Sequence, residues 1–470
     1  MRRVRWAWLG LLALGCDVAV GEEATGAESI ASELNAVVTN GPGVSAFDPR
    51  ESCDGRCGGS APSGCLCSSN CGSLGNCCAD YAAQCGACLV GDRNWRELSV
   101  LPGNIPYYDR PVQVALADNG DGYAVWSGDS SDKLTTFVRI AHRSGGAWAP
   151  TESFVAPSGG GAYVAVGHAG DAFVYGDGLA LYNDGSGWSN VPSYHNPLEA
   201  VVDGSGNVML IHDTGGRLLA SLFSSATRAW GAAFDLGANS QSAYLQLAAN
   251  DSGTFAAAWN DSGIRTARFS PGSGWGQLPL AASSGRQPVI ELDDAGTIYV
   301  AWLGSSQGGV HVRRAFGATW GASQLVSTSE SQPASLLRLA VNRSGEAVLA
   351  WSQGSSVWAA TFSNYSPYSI ASPSWAAPTF LHSGGAIDAG IDDCGARQVL
   401  IDRGTSPNGI LSYSLAGPGI GWSASTLPLP SACWRPALYY TYSEAATAAN
   451  GVTIALASDQ NGSVCAGVWE

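Results

Sequence analysis

Basic side chains are scarce in this sequence. Lys and Arg number 23 against 38 Asp and Glu, which leaves a formal charge of −15. A surface with that balance repels phosphate backbones, so nucleic acid and anionic lipid are excluded as natural partners. Charged residues of both signs reach only 13% and long amphipathic helical runs are absent, which turns the reading away from helices. Histidine is rarer still: the six, His142, His168, His195, His212, His311 and His382, show no metal-ligand spacing. Glycine-rich phosphate loops and nucleophile elbows are missing. Asp118-Asn119-Gly120-Asp121-Gly122 lacks the closing ligand of a calcium loop and reads as a turn. No metal, no cofactor and no catalytic residue is expected on these grounds. After the N-terminus no run is apolar enough for a membrane-spanning helix.

What the chain does have is glycine, 61 residues, and an apolar content of 45%. That combination favours short strands and tight turns around a sizeable core. With 470 residues, more than one structural unit is expected.

Residues 1–15 read as a targeting segment, with Arg2, Arg3 and Arg5 ahead of an apolar stretch from Trp6 to Gly15. Leu12-Ala13-Leu14-Gly15-Cys16 resembles a bacterial lipobox, although that family prefers Leu at the position of Ala13. The resemblance implies cleavage before Cys16 and lipidation of its thiol; the alternative is an ordinary cleaved signal peptide. Both readings export the chain and place it at the cell envelope or outside the cell, in contact with a membrane only through a lipid anchor. Residues 16–50, rich in Glu, Ala, Gly, Ser and Thr, read as a flexible acidic tether.

Thirteen cysteines in an exported chain point to disulfides before metals. Nine of them crowd between Cys53 and Cys88, in a segment too short to build a hydrophobic core of its own. Eight cysteines there allow 105 pairings. Ser-Cys-Asp-Gly-Arg-Cys (52–57), Cys-Leu-Cys (65–67), Cys71, Asn-Cys-Cys-Ala-Asp-Tyr (76–81) and Cys85 closely resemble a somatomedin-B domain, spanning 51–88. That resemblance implies the pairs Cys53–Cys67, Cys57–Cys85, Cys65–Cys78 and Cys71–Cys77. Somatomedin-B domains are protein-interaction modules. Here the stretch around the middle cysteines reads Ser68, Ser69, Asn70, Gly72, Ser73 and Leu74, without the acidic and aromatic groups of the vitronectin binding surface. A rigid spacer is therefore as good a reading as a binding site.

From residue 92 to 470 the chain repeats. A Gly-centred turn, at Gly120, Gly170, Gly206, Gly253, Gly296, Gly345, Gly395 and Gly451, is followed about six residues later by a strand end. A Trp opens the next outer strand at Trp148, Trp188, Trp230, Trp275, Trp320, Trp375 and Trp422, and a Pro enters the innermost strand at Pro111, Pro197, Pro288, Pro333 and Pro436. Each unit reads as four strands, the size of a propeller blade. The last unit lacks its outer strand, and Trp95-Arg96-Glu97-Leu98-Ser99-Val100 supplies the same pattern at the beginning. The expectation is an all-β fold: a β-propeller of eight blades, with seven as the alternative, closed by strands from both ends of the repeat region and resembling the sialidase-like and WD-like propellers. Of the remaining cysteines, propeller topology suggests Cys88–Cys394 and Cys433–Cys465.

Ligands of propellers usually sit on the upper face, where the second strand of each blade ends. Those ends carry Trp126, His212, Trp259, Trp302 and Trp351, with Asp213, Asp261 and Asp402 following. Flat aromatic faces beside carboxylates suit a sugar ring. The competing reading is that Trp at a repeated strand position packs between blades. Turns such as Asn183 to Trp188 are similar to sialidase Asp-boxes, but the arginine triad, Tyr–Glu pair and acid of a sialidase are not identifiable. The leading expectation is a monomeric cell-surface binding or adhesion protein for a protein or glycan ligand. A glycan-active, sialidase-like hydrolase or lyase and a structural envelope component are the alternatives.

Overall fold

The computed structural model describes residues 95–101, 112–129, 135–156, 161–176, 178–194, 196–238, 244–305, 308–327, 334–363, 375–402, 410–415, 421–427, 443–458 and 464–470. The targeting segment, the tether, the cysteine-rich stretch, His195 and Cys433 lie outside them. The described residues form eight antiparallel sheets of four or five strands. No helix among them is long and apolar enough to cross a membrane.

The innermost strands are Val112–Leu116, Ala162–Val166, Pro197–Val202, Gln246–Ala249, Arg286–Leu292, Ala334–Val341, Gly385–Ile391 and Ser443–Thr447. Each packs beside the next, and the eighth returns to the first, so the sheets are blades of a closed ring. Blade number is eight; the short second unit is complete, with strands Ala162–Val166, Ala172–Gly176, Leu179–Asn183 and Trp188–Asn190. In blades one, three and five the outermost strand is broken into two pieces, both paired to the third strand.

Closure is as the repeat pattern implied. Trp95–Leu101 pairs antiparallel with Val464–Trp469, placing Trp95 opposite Trp469 and Leu101 opposite Val464. The two indoles meet edge to face with centroids 5.5 Å apart. Arg143 of blade one, itself buried, reaches Glu470 at 3.2 Å and so ties the last residue of the chain to the neighbouring blade.

All eight turn glycines have positive φ, between 74° and 98°. Glycine reaches that region without Cβ strain. At Gly345 the demand is also steric, because a Cβ would lie 2.5 Å from the Tyr299 hydroxyl. In blades three to seven the residue three before the glycine is Asp or Asn. Its Oδ1 accepts the N–H of the fourth residue on: Asp203 from Asn207 at 2.8 Å, Asn250 from Thr254 at 3.0 Å, Asp293 from Thr297 at 2.7 Å, Asn342 from Glu346 at 2.9 Å and Asp392 from Ala396 at 2.7 Å. The turns are also stitched to one another. Asp118 N–H donates to the His168 carbonyl, Asp294 N–H to Arg343, Asp393 N–H to Ala449 and Asn450 N–H to Asp118.

The described residues share no single core. Apolar side chains collect in wedges between adjacent blades, such as Trp351, Leu349 and Tyr299 between blades five and six, or Trp126, Leu456 and Val464 between blades one and eight. Cys394, in the turn of blade seven, and Cys465, in the third strand of blade eight, are both buried and disulfide-bonded; Cys88 and Cys433, the partners expected for them, lie outside the described residues.

Candidate functional site

Stacking the blades on their turn glycines brings three sets of residues to the axis. The residue two before each glycine stands at the tip of the turn, and the eight tips converge at one end of the channel. They are Asp118, His168, Gly204, Asp251, Asp294, Arg343, Asp393 and Ala449. Arg343 is the hub. Its guanidinium bonds to Asp118 and lies 2.9 Å from Asp251, 3.4 Å from Asp393 and 3.8 Å from Asp294. His168 Nδ1 lies 2.8 Å from Asp118 Oδ1 and 3.4 Å from Asp251 Oδ1. Gly204 is required where it stands, since a Cβ there would meet the Asp251 backbone at 2.9 Å.

The electrostatics follow from this crowding. Burial pulls the His168 pKa down, but its bond to Asp118 and the charges of Asp118 and Asp251 carry it above the usual value, against the opposing Arg343 charge. Burial pushes Asp393 up to about 6 in spite of Arg343. Burial also raises Asp294, with Asp251 adding to the effect. Asp118, His168 and Asp251 place ligand atoms within 4.8 Å of one another, a spacing that would suit a metal ion. Arg343 Nη2 already stands among them, bonded to both carboxylates and 3.1 Å from His168 Nδ1, so the cluster supplies its own cation.

Seven residues before each glycine lies a second set. Gln113, Tyr163, Glu199 and Gln246 come from blades one to four; Val289, Arg338, Asp388 and Glu444 come from blades five to eight. The registers agree: Gln113 is opposite Val125, Glu199 opposite Ile211, Asp388 opposite Leu400 and Glu444 opposite Leu456, each one residue short of the position held by Trp126 in blade one. All eight keep some accessible surface while their strand neighbours Val114, Ala200, Leu247, Ile290, Leu339 and Ala445 are buried, so this belt faces the channel.

The belt is polar for a reason that lies in the sheets. Each innermost strand is the open edge of its blade, and its inward N–H groups need acceptors. Glu199 accepts from the Leu247 N–H of blade four, Asp388 from Ala445 of blade eight, and Glu444 from Val114 of blade one. The Tyr175 hydroxyl accepts from Ala200 at 3.1 Å. These bonds lower the carboxyl pKa values, but enclosure within the ring outweighs them. Glu199 is pushed up to about 8, Asp388 to about 6, and Glu444 is raised by burial well above its ordinary value, with the charge of Asp388 adding to that effect. A third set, two residues further on, is Ala, Val or Gly in seven blades and Glu291 in blade five, where burial followed by the charges of Glu199 and Asp388 raises it to about 8.

The upper-face residues singled out in the sequence fare differently. Trp126 and Trp351 are 0% exposed, Trp259 2% and Trp302 4%. Each indole lies in the wedge against the preceding blade. They cannot offer a face to a sugar, so of the two readings of these positions the structure shows packing between blades and corrects the ligand-stacking one. His212 is likewise buried, stacked on Tyr194 with centroids 4.2 Å apart and with Ser221 Oγ 3.5 Å from Nε2; burial lowers its pKa against the charge of Asp213. Asp213 caps its own turn by accepting the Gly216 N–H at 2.7 Å, and Asp261 pairs with Arg265 at 2.8 Å. Asp402 ends the second strand of blade seven. The axial sets at 113–444 and 118–449 were not found in the sequence, although constant spacing from the turn glycines marks them.

Residues 51–88 match the Somatomedin B domain family. No curated protein matches the chain in sequence. Among solved structures, a streptogramin B lyase is 8% identical, covering 80% of this chain and 98% of its own, with a TM-score of 0.41. AofleA from Arthrobotrys oligospora is 11% identical, covering 71% of this chain and 90% of its own, with a TM-score of 0.37. The Hadza microbial sialidase Hz136 is 14% identical, covering 68% of this chain and 65% of its own, with a TM-score of 0.32.

Proposed function

We propose that this chain is an extracellular binding protein, in which a somatomedin-B module precedes a rigid eight-bladed ring in the sequence and engages a protein ligand. The observation that carries this reading is the pairing of a recognised interaction module at 51–88 with a ring closed by its own two ends. A closed ring with interdigitated wedges holds its surface loops in fixed relation, which is what a binding platform needs. Burial of the four indoles removes the main argument for a sugar ligand, so a protein is preferred.

The test is binding of the purified full chain, and of a variant lacking residues 51–87, to panels of extracellular proteins and of glycans. Binding to a protein that disappears with the deletion is the expected result. Glycan binding that survives the deletion would move the ligand site onto the ring, and silence on both panels would leave the chain a structural component.

The proposal includes a lipid anchor on Cys16. Cys16→Ser should shift the protein from the membrane fraction to the soluble one, with loss of palmitate labelling. An unlabelled parent chain, or a variant that stays with the membrane, would refute the anchor.

A further inference from the structure

Blades two and six stand opposite one another in the ring of eight, yet their turn tips meet: Arg343 Nη2 lies 3.1 Å from His168 Nδ1. Two carboxylates draw these cationic side chains together. Asp118 of blade one turns Oδ1 to His168, at 2.8 Å, and Oδ2 to Arg343. Asp251 of blade four does the same, with Oδ1 3.4 Å from His168 and Oδ2 2.9 Å from Arg343. A square of alternating charge therefore spans the axis and shuts the channel at this end. Asp294 of blade five and Asp393 of blade seven complete the set, at 3.8 and 3.4 Å from Arg343, while the tips of blades three and eight, Gly204 and Ala449, carry no charge. The six side chains keep between 30% and 42% of their surface exposed, so solvent reaches their protons.

We propose that this cross-axis square is a proton-operated clasp: it holds its end of the channel shut in mildly acidic surroundings and slackens as the surroundings become alkaline. With His168 protonated, the two cations of the square offset Asp118 and Asp251. A carboxylate only accepts, so His168 Nδ1 carries a hydrogen towards Asp118 and the proton that titrates sits on Nε2. Its loss leaves that hydrogen bond in place and removes the positive charge. Asp393, held at about 6 by burial, and Asp294, raised by burial, take on their own charges late in the same rise of pH. The guanidinium of Arg343, which stays charged, then faces four carboxylates alone. Repulsion among them strains the backbone bonds between neighbouring tips, those donated by Asp118, Asp294, Asp393 and Asn450, which open more often.

The experiment follows the histidine ring signals of the isotope-labelled full-length protein by NMR between about pH 5 and about pH 9, His168 being the signal absent from His168→Gln. His168 should titrate above the ordinary histidine value of about 6.5, lower than the parent in Asp118→Asn and higher than the parent in Arg343→Gln. In parallel, hydrogen exchange read by mass spectrometry and corrected for the intrinsic rate should show the amides of Asp118, Asp294, Asp393 and Asn450 losing protection by about threefold or more across that titration. A peptide from the outer strand Phe234–Ala238 should not change. In His168→Gln the part of the loss that tracks the titration should be gone. Asp251→Asn, expected to act like Asp118→Asn, takes the place of Arg343→Gln should that variant not fold. A His168 that titrates at or below the ordinary value, charge variants that leave its titration unmoved, or tip amides whose exchange is flat or runs the same course in His168→Gln would each overturn the proposal.

Discussion

Trp351→Ala should cost about 3–5 kcal/mol of stability, the range for deleting a fully buried indole. Trp351 is 0% exposed and sits in the wedge between blades five and six with Tyr299, Leu349 and Trp375. Truncation removes an apolar surface and opens a cavity that neighbouring strands, pinned on both sides, cannot fill by collapse. Urea unfolding followed by intrinsic fluorescence, with a non-aromatic region of the circular dichroism spectrum as a second probe, measures the loss. Trp126→Ala should behave alike, because that indole lies between the first and last blades. A variant as stable as the parent would show that the indole is not a wedge residue, and the burial argument against a sugar-stacking face would fall with it.

The second large effect is on pH. Glu199 and Glu291 are held at about 8, Asp388, Asp293 and Asp393 at about 6, and His168 above its usual value. Unfolding returns the carboxyls to about 4 and histidine to about 6.5. Every one of these groups therefore binds its proton more tightly in the folded protein. Their contribution is full below the unfolded values and is lost as pH rises through the folded ones. His212, lowered by burial, works in the opposite direction, but its change is complete once the pH passes the unfolded histidine value. The thermal midpoint should fall steadily between about pH 5 and about pH 9, and the upper half of that fall should shrink in a Glu199→Gln/Glu291→Gln double variant. Scanning calorimetry across the range decides it; a midpoint that rises with pH, or a double variant with the parent's slope, would contradict the assignment.

The ring itself was legible because its signals are local. Gly120 and its seven counterparts mark turns whose geometry only glycine takes without strain, and Trp95 repeats the outer-strand pattern that the final unit lacks. The burial of Trp126, Trp259, Trp302 and Trp351 was one of two readings the repeat allowed, because a strand's period of two says that a side chain leaves one face of the sheet, not what covers that face. The axial residues were hidden for another reason. At the turn tips the repeat reads Asp, His, Gly, Asp, Asp, Arg, Asp and Ala, so each is unremarkable within its own blade. Arg343 and Asp118 are 225 residues apart and meet only when the ring closes. Convergent chemistry of this kind is a property of the assembled circle and leaves no trace in a single repeat.

The pairing of Trp95–Leu101 with Val464–Trp469 also fixes when the molecule can be finished. The strand made early has no partner until the last six residues of the repeat region have been delivered, so a chain growing from its amino end carries an unmatched β-edge until then. Final assembly therefore waits until the whole repeat region has been made. A prematurely terminated product would expose two raw edges at once, open to proteases and to other chains. Intactness is in effect verified by the architecture, since only a full-length polypeptide can hide both.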